Sequence, residues 1–174
     1  MNSLIKIVLN IIPRTILTRL SFLLKPLIKI YLFGNKYTDP IDGSSFRKFL
    51  PYGYNNVREN ALSPSTYSLE RHRLLWLYLK NETEFFNKNI KVLHFAPEAA
   101  FLEKFKKLNN ISYDTIDLNS PLADIKADIC DLPFEDESYD FILCNHVLEH
   151  IIDDTKAMQE LYRVLKKDGI GIFQ

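Results

Sequence analysis

The stretch VLHFAPEAAFLEKF, residues Val92 to Phe105, reads as a buried strand, a tight turn and the opening of an amphipathic helix. The run ending at Phe95 is apolar, whereas Phe101, Leu102, Phe105 and Leu108 recur at the three- and four-residue spacing of one helical face. Toward the C-terminus the alternation repeats. ISYDTIDL is a second strand ending at Asp117, ADIKADI a short third and YDFILCN a fourth. DDTKAMQELYRVLKKDG follows as a helix capped by Asp153 or Asp154, with Ala157, Leu161 and Leu165 inward and Gly169 as its stop; IGIFQ opens a fifth strand. Strand–helix alternation of this kind predicts an α/β fold, a parallel sheet covered by helices on both faces and wound right-handedly.

In such sheets ligands bind beyond the carboxyl ends of the strands, where the strand order reverses. The candidate positions are Phe95 to Ala99, Asp117 and Leu118, Asp128 to Asp131, and Asn145 to His150. Each acid alone can also be explained as a turn or helix cap. Four polar signals at four strand ends are a stronger sign than any one of them.

Three stretches carry a resemblance: YDTIDL, then ADICDLPFEDESYDFILCNHVLEHI, then AMQELYRVLKKDGIGIF. Residues 91–174 resemble the class I S-adenosylmethionine-dependent methyltransferases, in the branch called methyltransferase type 11. The middle stretch follows that family's D-x-x-x-L-P-F-x-D-x-S-F/Y-D pattern and its V-L-E-H nearly throughout. The resemblance implies a Rossmann-like sheet with strands one to five present and S-adenosylmethionine as cofactor. It also implies that the family's terminal hairpin is missing, so the domain is expected to be partial. By the same resemblance Asp117 meets the ribose hydroxyls, with Leu118 beside it, Asp128 the adenine amine, and Ile129 packs on the ring. Asn145 and His146 fall near the methionine moiety and the methyl group. His146 and His150 are the candidate bases, since imidazole titrates near neutral pH; His150 is equally a packing residue of the following helix.

Most relatives carry glycines in the turn after strand one, where missing side chains let the backbone approach the cofactor. Here His94, Ala96, Glu98 and Ala100 stand in those places, beside Phe95 and Pro97. Alanine still permits fairly close approach, and the Glu98 carboxylate is placed to pair with the cofactor's ammonium group. The HFAPE turn resembles a bacterial subgroup that carries a cysteine-rich knuckle near the N-terminus.

Residues 37–67 keep the outline of such a knuckle without its cysteines. DPIDG, Asp39 to Gly43, and SPST, Ser63 to Thr66, have Asp39, Asp42, Ser63 and Thr66 where thiolates would stand. Serine and threonine are poor zinc ligands, so no metal is expected; two ordinary proline-containing turns explain the same residues. Residues 68–90 read as a helix with Ser68 as N-cap, followed by a polar linker, with His72 at the surface or an interface rather than in a catalytic role.

Residues 1–36 are basic and apolar. No acid occurs from Met1 to Thr38, while Lys6, Arg14, Arg19, Lys25, Lys29 and Lys36 are basic. Lys6, Asn10, Arg14, Thr18, Ser21, Lys25 and Lys29 form a narrow polar stripe on a helix that Pro13 and Pro26 are expected to divide. Charges recur too often for a membrane span. Either this helical extension lies on an anionic membrane surface, or it packs on the protein's own body or a second subunit. Across all 174 residues, 22 basic side chains balance 22 acidic ones, so no nucleic-acid partner is indicated. Cys130 and Cys144 have no framework or metal spacing, which fits a cytoplasmic protein; the membrane alternative for residues 1–36 would make it peripheral at the inner membrane face. The expected function is methyl transfer to a small-molecule acceptor, saccharide or lipid-linked. The alternative is a non-catalytic remnant or interaction module. Nicotinamide chemistry lacks its glycine fingerprint, and the sequence leaves the oligomeric state open.

Overall fold

The computed structural model describes residues 14–53 and 55–174, with side chains from Leu23 onward. Lys6, Asn10 and Pro13 lie outside the described residues, and so do the side chains of Arg14, Thr18, Arg19 and Ser21. The chain divides into two compact units whose boundary falls between Leu77 and Tyr78, inside a helix.

The first unit opens with helix α1, Arg14–Leu32. Pro26 sits within this helix without dividing it, contrary to the expectation of separate segments, and the chain turns to strand at Phe33 rather than remaining helical to Lys36. Two antiparallel hairpins follow: β1 (Phe33–Thr38) with β2 (Ser45–Phe46), and β3 (Leu50–Tyr52) with β4 (Arg58–Leu62). Leu32, Phe46 and Phe49 form a small core, with Ile28, Tyr37 and Leu50 packed against it.

The turns at Asp39–Gly43 and Ser63–Thr66 are joined side chain to side chain. Thr66 Oγ1 donates to Asp39 Oδ2 at 2.5 Å, Ser68 Oγ donates to the same oxygen at 3.2 Å, and Ser65 Oγ donates to Asp42 Oδ1 at 3.2 Å. Asp39 Oδ1 also accepts the Ile41 N–H. Asp39, Ser63 and Ser68 are buried, so these bonds are shielded from water. Among the described residues no cluster of three or more His, Cys, Asp or Glu side chains is placed to hold a metal ion.

Helix α2, Glu70–Asn81, starts two residues after Ser68. Ser68 therefore does not cap it; its hydroxyl is committed to Asp39. The Leu69 N–H donates to His72 Nδ1 at 3.1 Å, the return half of a capping box with histidine in the glutamate place. His72 is buried, so of the two placements expected for it the surface one does not hold.

The second unit is a five-stranded sheet in the order β7-β6-β5-β8-β9, with every neighbouring pair parallel. Its strands are β5 (Ile90–Phe95), β6 (Ile111–Asp117), β7 (Ile125–Lys126), β8 (Tyr139–Cys144) and β9 (Leu165–Phe173). The short helix α3, Ala99–Phe105, joins β5 to β6, and α4, Asp154–Val164, precedes β9. The central strands β5 and β8 are buried along nearly their whole length, as strands covered on both faces must be. One core cluster gathers Leu93, Phe95, Ile116, Tyr139, Ile142, Ala157, Leu161 and Val164. Elsewhere Phe85, Phe101, Phe105, Phe141 and Tyr113 form a chain of ring contacts, with Phe101 and Phe105 stacked at 5.2 Å.

Asp153 caps α4 by accepting the Lys156 N–H at 2.9 Å, which resolves the choice between Asp153 and Asp154. The helix ends at Val164, five residues before Gly169, because Leu165 is already extended and paired with Tyr139. Gly169 lies instead in β9, where an added Cβ would come within 2.9 Å of the Lys166 carbonyl oxygen. Glycine is needed there for close approach.

Candidate active site

The strand order reverses between β5 and β8: the chain runs outward through β6 and β7 on one side, then returns to place β8 and β9 on the other. The carboxyl ends of β5 and β8 lie side by side, with Phe95 paired to Cys144. The residues that follow each strand therefore share one crevice edge.

After β5 the chain bends through Ala96, whose φ of 45° lies in the left-handed region that favours glycine. Its N–H donates to the Ile116 carbonyl at 3.0 Å. Alanine thus adopts the glycine conformation without a glycine. Pro97 is buried, and Glu98 stands just before the first turn of α3.

The acid at 98 belongs to a polar chain that crosses three strands. His94, fully buried on β5, has Nδ1 2.6 Å from the Tyr113 hydroxyl and Nε2 2.7 Å from Glu98 Oε2. One consistent proton assignment has the phenol donating to Nδ1 and Nε2–H donating to the carboxylate. Burial first, then the nearby Glu98 and Asp124 charges, raise the Tyr113 pKa, so the phenol keeps its proton. Asn145, immediately after β8, donates from Nδ2 to Glu98 Oε1 at 3.2 Å. The Asn145 side chain is 3% exposed, and its carbonyl oxygen Oδ1 has no hydrogen-bond partner. An unpartnered buried acceptor carries a cost of about 1–3 kcal/mol, which a ligand donor would relieve.

Asp117 ends β6 and accepts the N–H groups of Asn119 and Ser120 on Oδ1, at 2.7 and 2.6 Å. It is therefore a turn residue, with Oδ2 outside these bonds. Leu118 beside it is 54% exposed. Asp128 is exposed and accepts the Cys130 N–H on Oδ1, while Ile129 is buried in the main core cluster. His146 is exposed, with a φ of 54°, and its N–H donates to the Gln174 carbonyl. His146 Nδ1 and His150 Nε2 lie 3.5 and 4.0 Å from the same Glu149 oxygen. The structure thus brings together Glu98 and Asn145, and separately His146, His150 and Glu149. Tyr113 was missed in the sequence. Its signal was position: in the parallel register Tyr113 pairs with Val92 and Thr115 with His94, one strand away from the turn.

The acceptor set suits a cationic nucleoside. Glu98 and the Asn145 amide oxygen offer negative character at the switch point, and Asp117 Oδ2 offers an acceptor at the neighbouring strand end.

A family model described as a methyltransferase domain matches residues 80–173. The uncharacterised methyltransferase YcgJ of Bacillus subtilis is 50% identical over 38 residues, 22% of this chain and 15% of that protein. The ubiquinone/menaquinone biosynthesis C-methyltransferase UbiE of Rickettsia prowazekii is 39% identical over 64 residues, 36% of this chain and 26% of that protein. Among solved structures, a Galdieria sulphuraria protein proposed to be a sarcosine dimethylglycine methyltransferase superposes with a TM-score of 0.52 at 22% identity. That match covers 82% of this chain and 52% of that one, and it is a likeness of fold. The chain spans well under two thirds of each of these relatives.

Proposed function

The chain belongs to the methyltransferase-domain family, and we propose that it binds S-adenosylmethionine and transfers its methyl group to a small-molecule or lipid-linked acceptor. The observation that carries this reading is the Glu98–Asn145 hydrogen bond across the β5/β8 switch point, with the Asn145 carbonyl oxygen buried and unpaired beside it.

When bound, the cofactor supplies an electrophilic methyl on a sulfonium. The protein's part is to hold and orient. Phe95 and Ala96 bring the backbone to the cofactor; Glu98 and Asn145 Oδ1 receive the ammonium group; Asp117 Oδ2 accepts from the ribose diol. Asp128 would accept from the adenine amine, with the exposed Leu118 as an apolar neighbour, while Ile129, packed in the core, supports the loop from beneath. Locking Glu98 between His94 and Asn145 fixes its charge in place, so no reorganisation is needed on binding. An acceptor oriented in line with that methyl would give up its proton to a side chain of this protein. His146 or His150, both exposed next to Glu149, fill that role. The names of several relatives, UbiE among them, point to quinone acceptors. A lipid-soluble acceptor of that kind is compatible with the basic, apolar N-terminal segment.

A second reading is a non-catalytic module. It is favoured by the absence of glycine from the turn and by the commitment of both Glu98 oxygens to protein groups. Calorimetry separates the two readings. The full chain is titrated with S-adenosylmethionine and with 5′-methylthioadenosine, which lacks the amino-acid end. Binding of both, weakened for both by Asp117→Asn, supports the first reading, and the amide variant retains the turn acceptor. Glu98→Gln should weaken S-adenosylmethionine about tenfold or more and methylthioadenosine little. Silence toward both ligands assigns the chain to the second reading.

A further inference from the structure

Over its described side chains, from Leu23 to Leu32, helix α1 buries one of its sides. Ile28 and Leu32 face the small core of the first unit. On the opposite side Leu23, Leu27, Ile30 and Tyr31, at steps of four, three and one, form a single stripe, and Phe33 continues it into β1. These five large side chains are between 63% and 78% exposed. A contiguous apolar face of this kind marks an interaction surface.

What surrounds the stripe says what covers it. The Arg47 guanidinium stacks 4.5 Å from the centre of the Tyr31 ring. Lys29 lines a hollow of about 450 Å³ together with Ile30, Phe33, Ser44, Ser45 and Phe46. A basic residue thus borders a mainly apolar depression next to the stripe. No acidic residue occurs from Met1 to Thr38, so the charge of the whole segment is of one sign. Among the described residues no helix is long and apolar enough to cross a membrane.

From this arrangement we infer that α1 and the start of β1 dock on the surface of an anionic bilayer. Leu23, Leu27, Ile30 and Phe33 enter the acyl boundary, Tyr31 lies at headgroup level, and Lys29 and Arg47 meet lipid phosphates. An amphipathic, basic helix with aromatic flanks lies in the plane of the interface. The inference stands apart from the methyl-transfer reading, since it uses none of the residues at the strand ends.

The test is co-sedimentation of the full chain with vesicles of pure phosphatidylcholine and with vesicles containing 30% phosphatidylglycerol, roughly the anionic content at which surface charge dominates. Expected is binding to the anionic vesicles that falls with added salt. The double variant K29Q/R47Q should bind roughly 25-fold more weakly, about fivefold for each charge. The variant L27S/I30S should lose at least about tenfold. Far-UV circular dichroism checks that both variants fold. Equal binding to both vesicle types, absence of binding, or indifference to L27S/I30S overturns the inference. So does a concentration-dependent dimer, seen by light scattering and dissolved by L27S/I30S without vesicle binding, which would assign the face to a second copy.

Discussion

Replacing Glu160 by glutamine should destabilise the second unit by about 1–2 kcal/mol at neutral pH and by roughly half that at pH 3. Glu160 and Arg163 form a two-point pair on α4: Nε donates to Oε1 at 2.8 Å and Nη2 to Oε2 at 2.7 Å. Arg163 then reaches the Phe134 and Leu132 carbonyls and Asp136, and Glu160 accepts the Leu132 N–H. The two side chains thus bind the LPFED loop to the helix. The Arg163 hydrogen bonds, ahead of the Leu132 N–H, hold the Glu160 carboxyl at about 2 against an ordinary 4.5. Such a difference corresponds to ~3 kcal/mol at full strength. The side chains retain 19% and 30% of their exposure, and screening reduces the contribution to about 1–2 kcal/mol. Because the folded pKa is the lower one, this stabilisation is complete above pH 4.5 and is lost as pH falls toward 2. Urea unfolding at pH 7 and pH 3, with amide exchange of peptides from α4 and the loop as the local readout, compares wild type with Glu160→Gln. A gap at pH 7 that closes by about half at pH 3 is expected. Equal stability at pH 7, or a gap of constant size across the range, refutes the argument.

Ala96→Gly should raise stability by roughly 0.5 kcal/mol in thermal unfolding, because removing the left-handed strain slightly outweighs the added chain entropy. Asp39→Ala should cost about 3 kcal/mol in the first unit, since Thr66 and Ser68 lose their shared acceptor; a chelator such as EDTA should leave the wild-type melting curve unmoved. The Cys144 thiol, pushed up to about 12 by burial first and by Glu149 second, should stay unmodified by a disulfide reagent at pH 8 until the protein unfolds. Leu161→Ala, at a fully packed position of α4, should lower stability by about 2–4 kcal/mol in urea unfolding.

The sheet was legible because its signals are local and repeated. The apolar runs at Val92–Phe95 and Phe141–Cys144 are buried strands, and the turn acids fall where a parallel sheet presents its carboxyl ends. The two hairpins of the first unit were not legible. Strands of two or three residues, such as Ser45–Phe46 and Leu50–Tyr52, carry too few alternations to register against their turns. The overlong reading of the last helix has a similar cause: the Lys166–Gly169 stretch suits a helix end, and only the pairing of Leu165 with Tyr139 decides against it. At the site, the positions of His94 and Glu98 were visible but their joint role was not. A histidine at the end of a strand and an acid four residues on become partners only because the chain turns back at Ala96 instead of staying extended, and Tyr113 closes the chain from a neighbouring strand.

The oxygen-only join between the Asp39 and Ser63 turns bears on how the first unit breathes. A thiolate-bound metal would fasten two loops with ~10 kcal/mol or more, whereas a handful of hydroxyl–carboxylate bonds contributes a few. The join therefore resists oxidants and metal starvation, yet it should unlatch often, making residues 39–44 and 63–68 the first place a protease finds a foothold.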